Sequence, residues 1–232
     1  LWLSLAPNAP DTRNPEFMSA PRSNPVAIIL AVLLLFSIAY NISLSGKLKK
    51  DLTVKEVVDG DSIILDNDQR VRLRGIDAPE EGRCAAHEAK IRLTELIGGK
   101  RVHLKNTIVD SYGRSLSHVY VGSIFVNAAM LDEGLARMQD EGTEAHEVFS
   151  SATNHAREAK VGIYSQQCRT TTPPDPKCAI KGNIRSGKKQ FYLASCEFYN
   201  QVVVDTSFGD QWFCTQSQAK KEEFTLADTC SR

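Results

Sequence analysis

The chain has 232 residues, with 28 Lys and Arg against 28 Asp and Glu, so its formal net charge is zero. At 42% apolar residues it can bury one good core and a small second one. The charge balance excludes a basic coat that grips nucleic acid without selectivity, so any polyanion bound here must be held by a few placed charges. Region by region the picture is the same: residues 51–170 carry 15 Lys and Arg against 19 Asp and Glu, and residues 171–232 carry 8 against 7.

Residues 1–17 show no periodicity, and residues 1–25 are expected to form a disordered N-terminal segment. The apolar run VAIILAVLLLFSIAY at 26–40 follows. Extended to residue 45 it reaches the roughly 20 residues that a bilayer requires, so 26–45 reads as a signal peptide or a transmembrane anchor. Arg22 precedes it and Lys47, Lys49 and Lys50 follow, a bias that favours an inward-facing C-terminus. Six cysteines, none in a CxxC pair, favour an oxidising exterior if they are bridged. The expectation is a secreted, periplasmic or cell-envelope protein, monomeric, with the helix either cleaved or kept as an anchor.

Residues 51–168 read as one domain. Short runs of strand composition lie at 52–58, 62–66 and 70–76, punctuated by Asp59-Gly60 and Asp66-Asn67-Asp68. The period then changes: Ala86, Ala89, Leu93, Leu96 and Ile97 recur at helical spacing until Gly98-Gly99. Two further strands are expected, RVHLK at 101–105 and LSHVYVGSIFV at 116–126, the second interrupted near Gly122. Helical patterns follow over 126–138 and 142–161. Five strands with a helix between the third and fourth is the order of an OB-fold β-barrel with about three helices, an α+β fold whose strand face commonly binds oligonucleotides. Fold alone assigns no function. A Pro-rich linker, TTPPDP, occupies 171–176, and residues 177–232 form a small Cys-rich domain too short for a confident core without staples.

The charged residues of the first three strands carry the chemistry. Asp59-Gly60-Asp61 sits in the first turn and Asp77 ends the third strand, so antiparallel neighbours would bring them to one rim. Hard oxygen ligands from two loops, with room for water and a phosphate oxygen, are what Ca²⁺ requires. Asp and Gly are also ordinary turn formers, so this triplet alone decides little. Arg72 lies on the strand that ends in Asp77, and Arg114 opens the fifth strand after a Tyr112-Gly113 turn. Two guanidiniums can clamp a phosphodiester and take up charge as it becomes five-coordinate. Glu80 can orient or deprotonate a water. Arg70 and Arg74 share the face of Arg72 by period two and are expected to be solvated or steering charges. The acids are expected to serve metal and water rather than to pair with the arginines.

VVDGDSI, RLRGIDAPE, DSYGRSLSHVY and VNAAMLDEGLARM, in this order, resemble the staphylococcal (micrococcal) nuclease family over roughly 51–166. The resemblance implies a Ca²⁺-dependent phosphodiesterase that cuts flexible or single-stranded DNA and RNA and leaves 3′-phosphates. It implies Asp61 and Asp77 as carboxylate ligands, the Ala78 carbonyl as a third, Arg72 and Arg114 on the scissile phosphate, Glu80 on the attacking water, and Tyr112 near a terminal phosphate. Ser111 stands where the family has a lysine, which weakens that terminal grip. Relatives with both cysteines imply a Cys84–Cys168 bridge. Residues from 178 onward are similar to the small modules called sunset domains; their four cysteines favour two disulfides over zinc, with three connectivities open. The alternative function is a non-catalytic OB module that binds nucleic acid or an envelope partner.

Overall fold

The computed structural model describes residues 24–47, 52–139, 142 and 144–230. Most of the segment expected to be disordered, and the lysines at 49 and 50, lie outside them. Helix α1 (Pro25–Lys47) belongs to a unit of its own. Pro25 fits its first turn, where a missing N–H costs nothing, and Asn24 Oδ1 accepts from Val26 N at 3.2 Å. Leu30, Leu33, Leu35 and Phe36 are exposed on it. Among the described residues no helix is long and apolar enough to cross a membrane.

The second unit, Lys50–Arg232, holds everything else. Strands β1 (Leu52–Val57), β2 (Ser62–Leu65) and β3 (Arg70–Leu73) form an antiparallel meander, and β4 (Ile76–Asp77) follows. Helix α2 (Ala86–Ile97) buries Ala86, Ala89, Leu93, Leu96 and Ile97, the stripe its period predicts. Strands β5 (Arg101–Val109) and β6 (Ser115–Val121) follow, and β7 (Ile124–Phe125) folds back on β6. The order β3-β2-β1-β5-β6 closes when β3 pairs with β6 in parallel, Val71 opposite Ser115. This is the five-stranded barrel expected. Closure leaves β3 no free edge, so Val71 and Leu73 fall at 0% and 1% exposure in the core while Arg72 points to the other face.

Two elements depart from expectation. Strand β5 runs four residues beyond the expected RVHLK, because its last half is exposed and shows no apolar alternation. Helix α3 (Val126–Asp132) stops short of residue 138. Gly134 turns there at φ 65°, and a Cβ on it would stand 2.5 Å from the Val161 carbonyl oxygen. The freed residues form β8 (Arg137–Met138), which pairs with β4 and sets Arg137 opposite Asp77. Helix α4 (His146–Ala159) completes the domain, burying Phe149 and Ala156.

Cys84 and Cys168 are bridged, as the resemblance implied. Closing 84 residues of chain stabilises by on the order of 3–5 kcal/mol in the chain-entropy picture. Strand β9 (Arg169–Thr170) follows directly and pairs with a strand of the C-terminal module, so the module docks on the barrel domain at this bridge. The module contains β10 (Ile180–Arg185), β11 (Lys188–Tyr192), β12 (Val204–Asp205), β13 (Gln211–Phe213), α5 (Gln216–Lys221) and β14 (Thr225–Leu226). β12 is the partner of β9, and the other strands form a sheet ordered β13-β10-β11-β14. Its buried core is Phe191, Phe213, Ala219 and Phe224, and disulfides Cys178–Cys214 and Cys196–Cys230 staple it. Of the three open connectivities the fold takes this one; Phe191, Phe213 and Phe224 are core, while Phe198 is exposed.

Candidate active site

The turn between β1 and β2 is built for close approach. A Cβ on Gly60 would sit 2.6 Å from that of Ala78 and 2.7 Å from that of Ala89, so only glycine lets the Asp59–Asp61 turn press on the loop after β4. Asp59 Oδ1 accepts from Asp61 N at 3.0 Å, an Asx turn that aims the Asp61 side chain inward. Asp61 is only 1% exposed. Its Oδ2 accepts from Ala78 N at 2.8 Å and its Oδ1 from Ser62 Oγ at 3.0 Å.

Arg72 then joins two loops. Its Nη1 lies 2.7 Å from Asp61 Oδ1 and its Nη2 2.7 Å from Asp77 Oδ1. The expectation that the acids do not pair with the arginines is overturned: Arg72 is their shared counter-charge. The reason is burial, since carboxylates with 2% and 16% side-chain exposure need a cation whatever else they hold. Even so, burial pushes the Asp61 carboxyl up to about 7, against the pull of Arg72 and the Ala78 N–H, with nearby Asp59 adding to the rise.

On the outer side of this cluster is a cavity of about 730 Å³, walled by Asp59, Arg72, Glu80 and Arg114 among others. The structure thus brings Arg72, Glu80 and Arg114 to one space, with Asp61 and Asp77 directly behind Arg72. The Glu80 carboxylate is exposed and makes no hydrogen bond or ion pair with the described residues, which leaves it open to a water. Arg114 stands half-exposed, its guanidinium 5.2 Å from the Tyr112 ring. Tyr112 itself is 83% exposed and is not part of the cavity wall. Arg70 is exposed and lines the cavity, whereas Arg74 reaches away to the Asn106 carbonyl at 3.0 Å.

Two residues of the site had no assigned role in the sequence. Asp110 accepts from Tyr112 N at 2.9 Å and Arg114 N at 2.8 Å on one oxygen, and from Arg114 Nε at 2.7 Å on the other. It therefore fixes both the turn and the guanidinium, and Asp four residues before Arg across a Gly turn was a legible signal. Arg137 donates through Nε and Nη2 to Asp77 Oδ2, at 3.0 and 2.7 Å. Nothing local signalled this, because it depends on the β4–β8 pairing.

The donor set suits a hard cation. Two carboxylates close enough to share one guanidinium, one of them undercompensated by the protein's own charge, can take an ion that keeps water ligands. Among the described residues no three His, Cys, Asp or Glu side chains gather as a metal set.

The chain is similar to known proteins over the barrel domain. The family described as staphylococcal nuclease homologue matches residues 70–166. The chain is 36% identical to a thermonuclease of Staphylococcus intermedius over 133 residues, covering 47% of this chain and 77% of that protein. It is 32% identical to a micrococcal nuclease of Shigella flexneri over 154 residues, covering 60% and 84% respectively. A thermonuclease of Staphylococcus hyicus is 29% identical over 161 residues, covering 60% and 94%.

Proposed function

The chain belongs to the staphylococcal nuclease family, and we propose that its rim cavity hydrolyses phosphodiester bonds of flexible or single-stranded DNA and RNA with Ca²⁺, leaving 3′-phosphates. The observation that carries this reading is the shared cavity of Arg72, Glu80 and Arg114 backed by the Asp61–Asp77 carboxylates. A solvated strand edge would not bury Asp61 to 1% exposure.

Asp61, Asp77 and the carbonyl of Ala78 would hold the ion, which when bound supplies positive charge to a phosphate oxygen and a place for water. Arg72 and Arg114 grip the non-bridging oxygens and take up the charge that grows on them. Glu80 accepts a proton from the water as its oxygen attacks phosphorus in line. The bond to the 5′-oxygen breaks, and that oxygen leaves as a hydroxyl after taking a proton from solvent. Asp110 keeps Arg114 in register by holding its Nε. Arg72 has the more demanding task, because turning one side of its fork to phosphate draws it from a carboxylate. Tyr112 is proposed to contact a terminal phosphate at the cavity mouth. Export to an oxidising compartment is proposed on the three disulfides, with 26–45 as the exporting segment.

The test is cleavage of heat-denatured DNA by the full chain in millimolar Ca²⁺, with and without chelator, followed by analysis of the product ends. The reading expects activity that the chelator abolishes and products with a 3′-phosphate. Equal rates with chelator, or 3′-hydroxyl ends, contradict it.

A further inference from the structure

Where the C-terminal module meets the barrel domain there is a second cavity, about 450 Å³, within the roughly 300–1,000 Å³ range of ligand sites. Four arginines line it: Arg137 from β8, Arg157 from α4, Arg169 from β9 and Arg185 from the β10–β11 hairpin. Three come from the barrel domain or its end and one from the module, so the cavity exists only because the two are docked.

The cationic surplus is only partly neutralised from within. The two acids at its wall are Asp205 and Asp210. Asp210 is taken up by Asn183 Nδ2 at 2.7 Å and by the backbone N–H groups of Ile184 and Asp205 at 2.8 and 3.0 Å. Asp205 accepts from Ser207 N at 3.1 Å and lies 3.6 Å from Arg169. Arg157 and Arg185 have no carboxylate within salt-bridge distance among the described residues.

Aromatic rings order these cations. Arg157 and Arg169 lie 5.3 and 5.8 Å from the Tyr164 ring, and Arg137 lies 3.8 Å from that of Phe208. A guanidinium stacked on a ring keeps its N–H donors at the edge, where a phosphate can take two of them. Arg137 also joins this cavity to the rim, since the same guanidinium holds Asp77.

We propose that this cavity is a second phosphodiester-binding subsite, which holds the strand flanking the bond cleaved at the rim. The C-terminal module thereby extends the substrate groove. The inference rests on the nuclease reading for the identity of its ligand, a single-stranded polynucleotide.

The test uses the full chain with Arg157→Ala/Arg185→Ala, both at exposed positions where folding should be little affected. Binding of oligothymidylates of four and sixteen nucleotides is measured in chelator over a range of salt, and cleavage of both is measured in Ca²⁺. The expected result is about tenfold weaker binding of the longer strand and a salt slope lower by about 1.4, from two lost phosphate contacts. Arg157→Lys/Arg185→Lys should recover most of that slope, and binding and cleavage of the four-nucleotide strand should not change. An unchanged slope for the longer strand, or an equal loss for both lengths, overturns the subsite. If instead the wild type cleaves neither strand, the nuclease reading fails, while the binding arm still decides the subsite.

Discussion

The barrel rim buries Asp61 and the C-terminal module buries Lys181, each to 1% exposure, and the two regions treat the buried charge in opposite ways. Lys181 Nζ donates to the carbonyls of Tyr199 and Val202 at 2.9 and 2.7 Å and lies 4.2 Å from the Tyr199 ring. Burial lowers its pKa, yet it has the partners a buried ammonium needs. Asp61 also has partners, but burial outweighs them and its pKa rises to about 7. The module's charge serves as a structural tie in a domain whose apolar core is four residues and two disulfides. The rim's charge is left wanting a cation, in a domain whose large apolar core can carry that cost.

The contrast is sharpened most by breaking the rim's cations. Arg114→Ala should lower kcat by about 10²–10³, the usual loss for one oxyanion donor, with no change in the thermal midpoint because the side chain is half-exposed. A parallel loss of stability would make Arg114 structural instead.

The next effect is the pH dependence of the metal-free protein. The folded chain binds the Asp61 proton more tightly than the unfolded chain does, so stability falls as pH rises from about 4 to about 7. The loss is on the order of 1–4 kcal/mol. Urea melts across this window should show the slope in wild type and not in Asp61→Asn, and addition of Ca²⁺ should reduce it. An equal slope in the two proteins would place the titration elsewhere.

Lys181→Met tests the other region. It leaves two carbonyls without their donor, at roughly 1–3 kcal/mol each, and the loss should be confined to the module. Hydrogen exchange should quicken in β10–β13 and stay unchanged in β1–β3. Uniform quickening would mean that barrel and module unfold as one.

The smallest effect is expected at Asp110→Asn. The amide still accepts the turn's N–H bonds but loses the charge that holds Arg114 Nε, so kcat should fall by less than about tenfold, near 1 kcal/mol. A loss equal to that of Arg114→Ala would show that positioning is the whole of the arginine's role.

The strands, the α2 stripe and the acids at the rim were legible because each is a local pattern: period two, period 3.6, and Asp-Gly turns. What escaped was long-range pairing. Arg137 is placed by β8, a strand that exists because Gly134 cuts α3 short against Val161. The Arg72–Asp61 pair escaped for a different reason. Reading the acids as metal ligands assigned each charge one partner, whereas a partly buried guanidinium shared by two carboxylates serves the folded chain first. The four-arginine cavity draws on residues 137 to 210, and no window of sequence contains it.

The central claim is that the rim cavity hydrolyses phosphodiesters with Glu80 handling the water. Single-turnover cleavage of a labelled oligonucleotide by wild type and Glu80→Gln, with thermal melts of both, tests it most directly. The account predicts a loss of about 10²–10⁴ in rate with matching melts, because Glu80 has no partner among the described residues for the fold to lose. Equal rates for the two proteins would contradict it.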